Sequence, residues 1–346
     1  FRIFLYFFAF CDILIQKFIY TKEENVLISC LLIVLGFAIL IVGADILVRG
    51  SSNIAKRFHI SEMIIGLTIV AIGTSMPELM ITISSASKGA TDLIIGNAVG
   101  SNLCNLLLIL GTTALLRPIK LDKDVKIIHL PVAFISTIAI LVMGVGLWGS
   151  EIGVINNRDG KILVGLYLLY FMYPIIIEII DICKTGRHNK EEHISPKANI
   201  PLSILFILIG IVLLKYGGDL VVDEATSLAE IFGISQRVIG LTIVAIGTAL
   251  PEMVTSVIAT IKDEGGLAVG NLVGSCILNS FLILGTGAII TPLEFTREFL
   301  SNLWLLAATI GYIWVCCFIG KKDTLTRYKA SILVITFAIY MWRLFV

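Results

Sequence analysis

Gly66-Leu67-Thr68-Ile69-Val70-Ala71-Ile72-Gly73-Thr74 recurs without change as Gly240-Leu241-Thr242-Ile243-Val244-Ala245-Ile246-Gly247-Thr248. Each copy runs on to a Pro-Glu pair, Pro77-Glu78 and Pro251-Glu252. Each then reaches a second shared stretch, Gly96-Asn97-Ala98-Val99-Gly100-Ser101 and Gly270-Asn271-Leu272-Val273-Gly274-Ser275. The offset is 174 residues without a gap, from Gly36/Gly210 through Asp45/Asp219 to Gly111/Gly285. A duplicated apolar segment with one carboxylate per copy is the signature of a transporter built from two pseudo-symmetric halves.

The composition agrees. Of 346 residues 57% are hydrophobic and 15% charged, with a mean hydropathy of +0.98, well outside the soluble globular range. A net charge of +1 points to no nucleic acid or acidic partner. The seven cysteines lie in or beside apolar runs without metal-site spacing, and they read as small apolar residues rather than a disulfide framework.

A bilayer core takes about 20 apolar residues per helix. Ten segments qualify: 26–48, 61–87, 92–116, 125–148, 161–182, 200–222, 235–261, 265–290, 298–319 and 327–346. Loop charges orient them. One side carries sixteen basic residues: Arg49, Lys56, Arg57, Arg117, Lys120, Lys123, Lys126, Lys184, Arg187, Lys190, Lys197, Lys262, Lys321, Lys322, Arg327 and Lys329. The other carries nine, three of them (Arg2, Lys17, Lys22) before residue 26. The richer side is expected to be cytoplasmic, with both termini outside. Five spans per copy is odd, so the second copy enters the membrane upside down. The expectation is an all-α integral membrane protein of ten transmembrane helices in two inverted five-helix repeats, with broken helices at the ion site. Residues 26–182 form the first repeat, 183–199 a cytoplasmic linker and 200–346 the second repeat. Residues 1–25 form an N-terminal extension with two open readings, an interfacial helix or an upstream artefact with translation starting near Val26. The register begins only there, which tips the balance to the second. A signal peptide would lack its usual cleavage site.

The chemistry centres on Gly73-Thr74-Ser75-Met76-Pro77-Glu78. Pro77 has no N–H for the helix ladder and its ring crowds the preceding turn, so the helix is expected to break there. Glu78 then stands at the start of the next half-helix, where the N-terminus favours an anion. Freed carbonyls, the Thr74 and Ser75 hydroxyls and a carboxylate make an all-oxygen set suited to hard cations such as Ca2+ and Na+. Gly247-Thr248-Ala249-Leu250-Pro251-Glu252 builds the matching half. Ser101 with Asn105, and Ser275 with Asn279, sit four apart on one helix face. Small residues at this spacing also serve plain helix packing, and the asparagines could be interhelical hydrogen-bond glue. The glutamates differ, since a charge at mid-membrane costs about 3 kcal/mol on insertion scales. Asp45 and Asp219 lie towards span ends and read as structural, Asp219 paired with Lys215 four residues before it.

At these residues the chain resembles the cation/calcium exchanger superfamily, most closely its prokaryotic sodium/calcium exchanger branch. The resemblance rests on the two alpha repeats, Gly66–Thr112 and Gly240–Thr286, and covers all ten spans in order. The Gly-Thr-Ser-Met-Pro-Glu form favours the sodium-type branch over the H+/Ca2+ branch. The resemblance implies that Glu78 and Glu252 bind Ca2+ and share Na+. It implies ligation by Thr74, Thr248, Ser75, Ser101, Ser275 and the carbonyls of Ala71 and Ala245, with Asn105 and Asn279 completing the centre. Two departures stand out. Ala249 replaces a frequent Ser, weakening one peripheral Na+ site, and Asn279 replaces the Asp of potassium-dependent relatives.

Two glutamates carry a double negative charge that one Ca2+ neutralises, and several Na+ could replace it only on the same oxygens. Mutual exclusion with alternating access gives antiport, in which Na+ entry drives Ca2+ out. The family's usual three Na+ for one Ca2+ would move one net charge, worth about 2.3 kcal/mol per 100 mV. The first span of each repeat is expected to slide past a fixed core. No cofactor, enzyme activity or obligatory protein partner is expected beyond the lipid bilayer and the transported ions, and the implied location is a prokaryotic inner membrane. Competing readings are H+- or Mg2+-type exchange on the same scaffold, a cation channel, and an intramembrane carboxylate enzyme, which would need two acids sharing a proton.

Overall fold

The computed structural model describes residues 26–58, 60–145, 153–185, 199–231, 245–319 and 323–345. Residues 1–25, most of the 183–199 linker and Gly240–Val244 of the second repeat lie outside the described residues. The described chain is mostly helical. In order come α1 (Val26–Phe58), α2 (Glu62–Thr74), α3 (Met76–Ser87), α4 (Thr91–Leu116), α5 (Val125–Gly144) and α6 (Asn157–Thr185). There follow α7 (Ile200–Ile231), α8 (Ala245–Thr248), α9 (Leu250–Ile261), α10 (Gly265–Ile290), α11 (Arg297–Cys316) and α12 (Arg327–Phe345). Among the described residues six helices are long and apolar enough to cross a bilayer, or seven if the bent pair α2–α3 is one span.

Burial grades these helices from core to periphery. Of the apolar window of α10, 94% is inside the protein, and 72% of that of α4, against 33% for α1 and 28% for α7. The repeat helices that carry Gly-Asn-x-Val-Gly-Ser are therefore the core. The outer faces of α1 and α7 present Leu31, Val34, Ile41, Leu202, Leu205 and Leu208 outward, as lipid-facing helices do.

Glycines seven apart bring α1 and α7 into backbone contact. A Cβ on Gly36 would lie 3.1 Å from the Gly217 carbonyl oxygen, on Gly43 3.2 Å from that of Gly210, and on Gly50 2.7 Å from that of Ser203. Residue numbers rise along one helix as they fall along the other, so the two run antiparallel. These helices are also equivalents at the 174-residue offset. Close approach of this kind needs small residues at the crossing.

Two small antiparallel sheets tie the halves crosswise. Strand β1 (Ile119–Lys120), which follows α4, pairs with β4 (Thr324–Leu325), which precedes α12. Strand β2 (Val154–Ile155), preceding α6, pairs with β3 (Leu293–Glu294), following α10. The helices repeat the exchange. Gly285 of α10 meets Gly160 and Leu163 of α6, and its equivalent Gly111 of α4 meets Ala330 and Leu333 of α12.

The ends of the first helix of each half differ from expectation. Helices α1 and α7 continue to Phe58 and Ile231, past the predicted limits at 48 and 222. Hydropathy marks where apolar sequence stops, whereas a helix continues through polar residues until a breaker or cap ends it. Asp45 accordingly lies well inside α1, where it pairs with Arg49 one turn on at 2.7 Å and with Lys262 of the α9–α10 turn. Asp219 pairs with Lys215 at 2.8 Å, as its spacing predicts.

Candidate ion-binding centre

The break before Pro77 forms in both halves with the same backbone. Ser75 has φ −88° and ψ 10°, and Ala249 has φ −88° and ψ 2°. The helix axis turns by 45° between α2 and α3. Each proline sits in the first turn of the new helix, where its missing N–H would have had no intrahelical partner. The same turn carries Glu78 in α3 and Glu252 in α9.

A second irregularity lies one layer away. The ladders of α4 and α10 widen into π turns at Cys104–Ile109 and Asn279–Ile283. Asn105 falls inside the first and Asn279 opens the second. Such bulges occur often at functional sites because they re-aim side chains.

Glu78, Glu252, Thr74, Ser75, Ser101, Asn105, Ser275 and Asn279 are all buried. The Ser75 hydroxyl lies 3.0 Å from Glu252 Oε1 and 3.0 Å from Ser275 Oγ, joining three predicted residues from both halves. All of these buried side chains come from α2, the α2–α3 break, α3 and α4 of the first half and from α9 and α10 of the second.

Four oxygens in this centre are buried and have no hydrogen-bond partner: Glu78 Oε2, Glu252 Oε2, Asn105 Oδ1 and Asn279 Oδ1. They form two matched pairs at the 174-residue offset. Leaving a buried acceptor unpaired costs about 1–3 kcal/mol, and more for a charged group. All four are acceptors with lone pairs to give, which is what an oxygen-coordinated cation requires.

The remaining predicted ligands are placed less directly. The Ala71 carbonyl accepts the Ser75 N–H at 3.1 Å and lies 3.4 Å from the Thr74 hydroxyl. That hydroxyl also reaches the Val70 carbonyl at 3.1 Å, so it can turn aside and leave Ala71 one lone pair. Thr248 is partly exposed where Thr74 is buried, and Ala245 opens α8.

Three residues of the surrounding shell escaped sequence reasoning. Asn271 Oδ1 lies 3.1 Å from the Thr74 hydroxyl, with its Nδ2 donating to Ser256 Oγ at 3.1 Å. Asn97, its equivalent, donates to the Glu78 carbonyl at 3.4 Å. Asn102 bonds across to Asn279 at 3.1 Å. Asn97 and Asn271 stand inside the duplicated Gly-Asn-x-Val-Gly-Ser stretch, whose pattern helix packing through its glycines and serine already accounts for.

Comparison with known proteins decides the family. The sodium/calcium exchanger protein family matches residues 28–176 and 202–346. The chain belongs to that family. Sodium/calcium exchanger MaX1 of Methanosarcina acetivorans is 30% identical over 346 residues, covering 92% of this chain and 99% of that protein. Inner membrane protein YrbG of Escherichia coli (strain K12) is 33% identical over 297 residues, 82% of this chain and 87% of its own length. A solved structure of the sodium-calcium exchanger NCX_Mj, soaked with zero Na+ and Ca2+, superposes with a TM-score of 0.78 at 28% identity. That superposition covers 92% of this chain and all of the other. As a family member the chain is an integral membrane exchanger of the prokaryotic type, not an enzyme.

Proposed function

We propose that this exchanger carries Ca2+ out of the cell against Na+ entry, with both ions competing for one centre between Glu78 and Glu252. The four unpartnered acceptor oxygens carry this reading. Two carboxylates neutralise one Ca2+, and Asn105, Asn279, Ser75, Ser101 and Ser275 supply neutral oxygen around it. Thr74 and Thr248, with the carbonyls of Ala71 and Ala245, extend the set towards the peripheral Na+ positions. Na+ carries half the charge, so it displaces Ca2+ only as several ions spread over the same oxygens. That competition couples the two fluxes.

The membrane arrangement proposed with it is ten spans in two inverted five-helix repeats, 26–182 and 200–346, joined by the 183–199 linker on the cytoplasmic side. The antiparallel crossing of the equivalent helices α1 and α7 supports inversion, and so does the crosswise pairing of β1 with β4 and β2 with β3. The basic-residue bias supports termini outside, in an inner membrane. Helices α1 and α7 share a tight glycine contact and are far less buried than α4 and α10, so they move as one pair past the α4–α10 core. The centre is thereby opened to each side in turn.

The test is equilibrium binding. Purified protein in detergent should bind Ca2+ in Na+-free buffer and release it as Na+ is added, with a dependence steeper than first power in Na+. Ca2+ binding indifferent to Na+ would refute the shared centre.

A further inference from the structure

The amide of Asn279 has no freedom in its surroundings. The Cys276 carbonyl can only accept, so the amide of Asn102, 3.2 Å away, must turn its Nδ2 towards it. A second acceptor, Ser280 Oγ at 3.0 Å, holds the same nitrogen. Asn102 Oδ1 is then left as acceptor for Asn279 Nδ2 at 3.1 Å. Asn279 Oδ1 consequently faces away from Asn102, buried and unpartnered. A flip of either amide would set donor against donor or acceptor against acceptor. Three groups in series, starting from a backbone carbonyl, thus fix which atom of Asn279 is offered to the ion.

The other half repeats the geometry with weaker chemistry. At the 174-residue offset Asn102 corresponds to Cys276, and Asn105 to Asn279. Where Asn102 donates to the Cys276 carbonyl, the Cys276 thiol points to the Asn102 carbonyl at 3.9 Å. Where Asn102 supplies an amide oxygen to Asn279, its equivalent, Cys276, has only a thiol to offer Asn105. A thiol is a weak donor and a weak acceptor, so Asn105 is held less firmly than Asn279.

We infer that Asn102 is a positioning residue for Ca2+, holding the Asn279 amide with Oδ1 towards the ion, and that Cys276 performs the same task less well for Asn105. This rests on the Ca2+ centre proposed above. Asn102 touches no ion. It acts by sparing Asn279 the cost of orienting its amide when Ca2+ arrives, which is preorganisation. The centre is therefore built with one rigid and one loose amide ligand, and the looser one is improvable.

The experiment exchanges the two residues in the full chain, as Asn102→Cys, Cys276→Asn and the double exchange. It reads Ca2+ binding by titration calorimetry in Na+-free detergent solution, together with KM and Vmax for Na+-driven Ca2+ uptake. Asn102→Cys should weaken Ca2+ binding about three- to ten-fold, the worth of one buried hydrogen bond, and raise KM more than it lowers Vmax. Cys276→Asn should tighten binding. The double exchange, which moves the firm hold to the other half, should return to within about two-fold of wild type because neighbouring substitutions couple. A merely structural role predicts loss in each single variant and a greater loss in the double, and that result would overturn the inference. So would unchanged affinity in Asn102→Cys beside a wild type that binds Ca2+. A wild type that binds no Ca2+ would sink the proposed function as well. Should Asn102→Cys fail to insert, Cys276→Asn decides alone: tighter binding supports the inference, and no change contradicts it.

Discussion

The Ser75 hydroxyl of the first half lies 3.0 Å from Glu252 Oε1 of the second, across the pseudo-symmetry of the protein. Its equivalent, Ala249, has no hydroxyl to offer Glu78. The contact made to Glu252 through Ser75 therefore has no counterpart to Glu78 through residue 249.

This asymmetry should show in the response to Na+. Ala249→Ser supplies the missing oxygen and should lower the Na+ concentration for half-maximal exchange about two- to five-fold, as one added neutral contact would. Ca2+ affinity in Na+-free buffer should hardly change, because the charge of the centre is untouched. Ser75→Ala should raise the Na+ requirement. Na+ titrations of Ca2+ uptake in proteoliposomes check both, and identical curves for wild type and Ala249→Ser would show the hydroxyl to be irrelevant to coupling.

Glu78→Gln and Glu252→Gln should each abolish Ca2+ transport while the protein still inserts and elutes as a single species. Each removes half of the charge that balances Ca2+ and leaves an amide of the same shape. Near-normal uptake in either variant would move the binding centre elsewhere.

Transport should proceed without K+. Asn105 and Asn279 are neutral, so the centre holds two carboxylates and no third charge for an additional monovalent ion. Uptake rates should be equal when K+ replaces choline on both sides with the voltage clamped. Dependence on K+ on the Ca2+ side would contradict this.

The α1–α7 contact should tolerate no side chain. A Cβ at Gly217 would stand 2.9 Å from the Leu40 amide nitrogen and 3.0 Å from the Gly36 carbonyl. Both neighbours are backbone and cannot turn away, so Gly217→Val should destabilise the protein by about 1–3 kcal/mol, the usual cost of overpacking. Gly165→Ala, with nothing within 4 Å of its added carbon, is the matched control and should melt like wild type. Thermal unfolding in detergent compares them, and equal stability of the two variants would mean the helices are not in backbone contact.

Much of this was legible in the chain because membrane constraints are severe. A glutamate beside a proline, twice, in apolar sequence leaves few readings, and the structure breaks both helices at that point. The π turns at Asn105 and Asn279 were not legible, because a single widened turn leaves no mark on apolar periodicity. The lengths of α1 and α7 were missed for a related reason. Hydropathy reports the lipid boundary and so places Asp45 near a span end, whereas the helix runs on to Phe58. Asn97, Asn102 and Asn271 stood in plain view, but an amide two contacts from an ion cannot be told from packing glue until its donors and acceptors have partners.

The most direct test of the central claim is radiolabelled Ca2+ uptake into proteoliposomes loaded with Na+ and diluted into Na+-free buffer, set beside vesicles carrying only a pH gradient. The outward Na+ gradient should drive Ca2+ accumulation above equilibrium, abolished by Glu78→Gln, while the pH gradient drives none. Accumulation with the pH gradient and none with Na+ would contradict Na+/Ca2+ exchange at this centre.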